Sequence, residues 1–175
     1  MLITISGTPG AGKTKAAQIL GKMLKADLIA TKYLVRKYEI KTKNDAKRKT
    51  RIIDEKMLVK AVAKESMLHK VLIYEGHLAH FPPAEVKVIL RTSPRVLEKR
   101  LKSRKWAASK IRENVEAEAL GIISSESNAL EIDTSKRTPR QTAGLIKRLL
   151  NNYSLQKTYR KKIDWTDAYA KYLRG

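Results

Sequence analysis

The stretch GTPGAGKT, residues 7–14, constrains this chain more than any other eight positions. It fits G-x-x-x-x-G-K-[ST] in full, and it stands between an apolar run, LITIS, and an amphipathic one, KTKAAQILGKMLKA. Gly7, Gly10 and Gly12 permit the backbone angles that turn consecutive N–H groups toward one point. Those donors, set at a helix start, favour an anion. Lys13 is then placed to neutralise the β- and γ-phosphates of a bound nucleotide, and the Thr14 hydroxyl to face Mg²⁺. Gly10, Ala11, Gly12, Lys13, Thr14 and Lys15 are the expected ATP-binding positions of the loop. Such a loop needs a strand before it and a helix after it, which commits the chain to an α/β architecture.

The rest of the pattern agrees. DLIAT (27–31), VLIY (71–74), VKVIL (86–90) and ALEID (129–133) read as further buried strands. KYLVRKYEI (32–40) reads as helix, and the basic run KTKNDAKRKTR (41–51) as a mobile loop. DEKMLVKAVAKESMLHK (54–70) places Met57, Leu58, Ala61, Val62, Met67 and Leu68 on one helical face, with Asp54 as N-cap. Ser93-Pro94 and Thr138-Pro139 each mark a helix start. Apolar strands alternating with amphipathic helices specify a doubly wound, five-stranded parallel sheet covered on both faces. The main domain is expected over 1–152. Residues 153–175 differ in character, with Lys157, Arg160, Lys161 and Lys162 beside Tyr153, Tyr159, Trp165, Tyr169 and Tyr172, and read as a basic-aromatic helical extension.

Composition narrows the setting. The absence of cysteine excludes disulfides and thiolate metal sites, and points to the cytoplasm. No apolar stretch is long enough to span a bilayer, and MLITISG is too short and uncharged for a signal peptide, so no membrane partner is expected. Thirty-eight Lys and Arg against seventeen Asp and Glu leave a net charge of +21, a field that attracts phosphates from nucleotides to RNA. The signs are segregated: 41–51 and 95–112 are strongly basic, whereas 113–133 holds acids and no cation.

In a doubly wound sheet, ligands lie beyond the carboxyl ends of the strands. The end of VLIY is therefore expected near Thr14, with Glu75 holding the metal directly or through water. His77 is a candidate for positioning an attacking water or an acceptor phosphate. His69 and His80 receive no chemical role.

No N-K-x-D guanine signature is present. GTPGAGKT, IYEGH…FPP, VILRTSPRVLEKRLKSRKW and KIRENVEAEA together resemble the adenylate kinase isoenzyme 6 family, small nucleotide kinases also linked to small-subunit ribosome assembly. Asn114, Glu116 and Glu118 fall in the family's N-x-E-x-E pattern, and the likeness runs from Met1 to about Leu150. It implies a P-loop NTPase of the nucleoside monophosphate kinase type with a short lid at 103–112 and a monophosphate-binding segment at 31–53. It implies phosphoryl transfer between ATP and AMP, with accompanying ATPase activity. Arg104 would then join Lys13 and His77 as a catalytic group, folding over the transferring phosphates, with Arg100 assisting. Arg36 would grip AMP, and Lys136 or Arg137 would stack on the adenine of ATP. The likeness also implies a role in small ribosomal subunit assembly and rRNA maturation. There the acidic stretch 113–133 would take the basic tail of a platform ribosomal protein, and 41–51 would face rRNA. Two departures stand out. Glu75 replaces the family's usual Asp, and 41–51 is more basic than the family pattern. An ATPase that releases a ribosomal protein or RNA, with AMP transfer vestigial, is the alternative reading. A kinase of another small alcohol or of a polynucleotide end fits less well. The chain is expected to act as a monomer.

Overall fold

The computed structural model describes residues 1–45 and 50–173. β1 (Leu2–Gly7) runs through the glycine loop into α1 (Lys13–Leu24), and β2 (Asp27–Ala30) passes directly into α2 (Thr31–Lys37). A ribbon of β3 (Thr42–Asp45) and β4 (Thr50–Ile53) precedes α3 (Glu55–Leu68). β5 (Leu72–Glu75), β6 (Val86–Arg91), α4 (Pro94–Lys102), α5 (Ala108–Ala119) and the short α6 (Ile122–Ser125) follow. The chain ends with β7 (Leu130–Asp133), α7 (Pro139–Leu150), α8 (Tyr153–Tyr159) and α9 (Thr166–Leu173).

The main sheet has five parallel strands in the order β2-β5-β1-β6-β7. The chain leaves β1 to one side for β5 and β2, and to the other for β6 and β7. The crevice at this reversal opens at the carboxyl ends of the strands, where the glycine loop lies. Register places Ile5 opposite Glu75, so the acid sits one strand away from the loop's first residues.

Side-chain alternation builds two cores. Ile3, Ile5, Ile73, Val88, Leu90 and Ile132 pack against Leu20 of α1 and Ile146 and Leu149 of α7. The other face sets Leu2, Leu72 and Tyr74 against Leu34, Leu58 and Val62 of α2 and α3. A strand covered on both faces needs apolar residues at both parities, which is why these strands read as continuous apolar runs. Helix starts follow the local chemistry. Asp54 caps α3 by accepting from the Met57 N–H at 3.0 Å. Thr138 and Gln141 close a reciprocal capping box on α7. Ser93 holds the N-cap position of α4, but its side chain makes no capping bond there, and Pro94 supplies the start.

Three expectations change. The run 41–51 does not form a loop throughout: it contains one strand and the start of the other in an antiparallel ribbon, with Thr42 opposite Ile53 and Asp45 opposite Thr50. β-branched residues at both its ends favour extended chain and are masked in the sequence by the surrounding cations; residues 46–49 lie outside the described part. Met67 and Leu68 do not face the core but are 85% and 68% exposed. At that end of α3, Glu65 takes the inward position. The C-terminal stretch is not an appendage. α8 lies against α7 and β7, and α9 against α4 and α5. Tyr169 and Tyr172 join Trp106 on the cluster of Leu97, Leu101, Ile111 and Val115. No helix of the described residues is long and apolar enough to cross a membrane.

Candidate active site

The loop after β1 requires glycine for two different reasons. At Gly7, with φ 139°, a Cβ would lie 2.4 Å from the Leu90 carbonyl oxygen, so β1 and β6 meet too closely for any side chain. Gly12 opens α1 in the left-handed region at φ 99°. The Lys13 side chain curls back, and its Nζ donates to the carbonyls of Gly7 at 2.8 Å and Thr8 at 3.2 Å. Burial draws the Lys13 pKa down to about 8, against the opposing pull of Glu75 and Glu118. A nucleotide's phosphates would replace those two carbonyls as partners.

Glu75 ends β5 and is buried, and its Oε1 accepts from Thr14 Oγ1 at 3.2 Å. Two hard oxygens side by side at a loop lined with N–H groups suit an oxygen-seeking dication. Among the described residues no group of three or more His, Cys, Asp or Glu gathers to hold a metal alone. Phosphate and water oxygens would have to complete the shell.

His77 lies two residues on, exposed at the rim of the crevice. Partial dehydration, with Lys13 nearby, holds its imidazole below the usual pKa. His80 is buried and structural. Its Nδ1 lies 3.0 Å from Ser6 Oγ and 3.1 Å from the His77 carbonyl, and its Nε2 lies 2.8 Å from Glu126 Oε2. Ser6 Oγ donates to that same carbonyl at 3.0 Å, so the turn presenting His77 is tied to β1.

Two clefts lie at this end of the sheet, one along the glycine loop and one reaching Glu75. One, of about 230 Å³, is lined by Gly10, Ala11, Gly12, Lys15, Arg104 and Arg137. Arg104 is exposed on the turn after α4, where the lid was expected. Arg100 is pinned instead, donating to the Thr134 carbonyl at 2.7 Å and the Gly10 carbonyl at 3.3 Å. Lys136 does not line this cleft; it borders a neighbouring groove with Arg137 and Arg148. The second cleft, of about 400 Å³, is lined by Thr31, Lys32, Ile53, Glu75, Gly76 and His77 among others. Thr31 Oγ1 sits 2.8 Å from the Tyr74 hydroxyl, and a Cβ on Gly76 would come within 2.2 Å of that Oγ1. Arg36 is exposed on α2, one turn past Lys32, and does not line the wall. Lys32 was missed because a lone surface lysine carries no sequence signal.

Glu118 was also missed, although its N-x-E-x-E pattern was visible. It is buried, accepts from the loop's Thr8 hydroxyl, and takes Arg91 Nε at 2.8 Å and the Thr92 N–H at 2.9 Å. Of the six acids of 113–133, five have partners within the chain, and Glu116 is exposed on α5. Glu118 and Glu131 are buried on Arg91, Glu113 pairs with Lys110, Glu126 meets His80, and Asp133 is held by Ser135. Segregation along the chain is undone by the fold, because acids and cations meet in space.

Known proteins give the same outline. A family model described as an AAA domain matches residues 3–121. A protein of Thermococcus onnurineus named "Putative adenylate kinase" is 34% identical, over 98% of this chain and 94% of its own. One of the same name from Methanocaldococcus jannaschii is 31% identical over 99% and 97%. These spans leave no room for an unmatched tail of 25 residues. Among solved structures, shikimate kinase from Bacteroides thetaiotaomicron superposes with a TM-score of 0.60 at 14% identity, covering 87% of this chain and 99% of that one. Loop, sheet order and superposition define a P-loop kinase fold. Within that class, the chain belongs to the family of the two named adenylate kinase relatives.

Proposed function

We propose that the protein transfers the γ-phosphoryl group of ATP to AMP. The observation that carries this reading is the Thr14–Glu75 contact at the end of the glycine loop, together with one cleft over that loop and a second lined by Glu75 and the start of α2. The loop N–H groups and Lys13 bind the donor phosphates, with Lys15 and Arg137 along the same cleft. Lys32 stands at the wall of the acceptor cleft, and Arg36 one turn further along α2. Arg104, on the exposed turn after α4, is placed to approach the transferring group as water leaves. Thr14 and Glu75 are the residues that would hold Mg²⁺, which screens phosphate charge when bound. In-line transfer needs both nucleotides seated at once, and two separate clefts, one at the glycine loop and one at Glu75, suit that requirement.

Hydrolysis accompanies transfer in this reading. A largely neutral His77 beside Lys13 can accept a hydrogen bond from a water and orient it. The ribosomal role implied by resemblance draws its support from the +21 charge, since all the acids of 113–133 but Glu116 are engaged within the chain.

The test is to mix purified protein with ATP and AMP and to follow ADP and orthophosphate separately. Two ADP for each ATP consumed, with little orthophosphate, is expected. Orthophosphate release that AMP does not alter would refute the assignment.

A further inference from the structure

The C-terminal segment makes hydrogen bonds that lead into the phosphate loop. Thr8 stands at the loop's turn. Its carbonyl accepts from Lys13 Nζ at 3.2 Å and from the Ala11 N–H at 3.0 Å, and its hydroxyl donates to Glu118 Oε2. The other carboxylate oxygen of Glu118 takes Arg91 Nε at 2.8 Å. Arg91 is 1% exposed and also donates to Glu131 Oε2 at 2.8 Å and to the Ile163 carbonyl at 2.9 Å. The Ile163 N–H returns to Glu131 Oε2 at 2.8 Å. Lys162 fastens the same stretch, reaching the Ser124 carbonyl and, at 2.6 Å, the Ser127 carbonyl. Buried charges that share partners in this way hold one arrangement, because displacing any of them leaves another uncompensated.

We propose that Glu118 is a positioning residue for the phosphate loop, and that the C-terminal stretch around Lys162 and Ile163 keeps it in place by completing the hydrogen bonds of Arg91. Neither Glu118 nor the stretch touches the nucleotide. Glu118 fixes Thr8, and Thr8 fixes both the turn to Ala11 and the resting place of Lys13. The stretch around Lys162 and Ile163 thereby supports the nucleotide site from a distance. The inference rests on residues 7–14 binding ATP and is independent of which acceptor the second cleft takes.

The experiment measures ATP binding by calorimetry at 25 °C on full-length variants whose folding is checked by circular dichroism. Thr8→Val keeps the shape and removes the hydroxyl; Thr8→Ser keeps the hydroxyl; Lys162→Met loosens the distant stretch. Thr8→Val is expected to weaken ATP binding about tenfold, the scale of one hydrogen bond to a charged group. Thr8→Ser is expected to bind within about twofold of the parent, and Lys162→Met about threefold weaker. A purely structural role would lower melting temperatures and leave these affinities alone, and that result overturns the proposal. Should Thr8→Val not fold, Lys162→Met decides by the same criterion. Parent protein that fails to bind ATP would instead refute the nucleotide site itself.

Discussion

Lys13 sets how nucleotide binding responds to pH. Its pKa in the free protein is about 8, against 10.5 for an ordinary lysine. Below pH 8 the ammonium is present and ready for phosphate. Above it the free protein loses that proton, and binding must take one up, because anions favour the charged form. Affinity for ATP is therefore expected to fall as pH rises through 8, approaching tenfold per unit for a single linked proton. Calorimetry at pH 9 in buffers of different ionisation heat checks this, and an absence of proton uptake would contradict it. The same depressed pKa weakens folding below pH 8, and that penalty disappears as pH climbs past 10.5. At Glu75, the change Glu75→Gln keeps an acceptor for Thr14 and deletes the charge. A fall in kcat of about a hundredfold with folding intact is expected from steady-state rates. His77→Ala should lower orthophosphate release more than transfer to AMP, and equal losses would remove the water-orienting role. The loop, Glu75 and His77 were legible because a motif and a strand end fix their places. Lys32 and Arg36 were not distinguishable, since one helical turn decides which of two cations meets the cleft.

At the scale of elements, the acceptor cleft depends on the close passage of β5's end beneath the start of α2. Gly76→Ala would drive a Cβ to within 2.2 Å of Thr31 Oγ1. Thr31, the first residue of α2 and part of the cleft wall, has to move, so KM for AMP should rise while KM for ATP holds; a balanced change in both would argue against two separate clefts. α7 offers a stability test away from the chemistry. Thr138→Ala removes one half of the capping box and should lower the unfolding free energy by about 1 kcal/mol in urea titration. Buried parallel strands announced themselves as apolar runs. The ribbon of β3 and β4 did not, because cations crowd its short β-branched ends. α5 was read for its N-x-E-x-E pattern and not as a helix; Ile111, Val115 and Ala119 recur only every fourth residue, too sparse a stripe beside so many charges.

For the whole molecule, the excess of positive charge opposes compaction. Raising ionic strength from about 0.01 to 0.15 M shortens the Debye length from about 30 to 8 Å and should raise the melting temperature. A melt insensitive to salt would show that the charges are already locally paired. The Arg91 array shows the limit of reading along a chain. A charged residue following VKVIL looks like the strand's exit into solvent. It becomes the centre of the interior only because Glu118, Glu131 and Ile163 arrive from far downstream.

Trp106 packs beside α4 and α5, and Trp165 stands at the entry to α9, which rests on those same helices. They are the chain's two tryptophans. Intrinsic emission excited at the indole band is thus an unlabelled optical gauge of this one corner, and stopped-flow mixing with ATP can time its rearrangement without adding a dye.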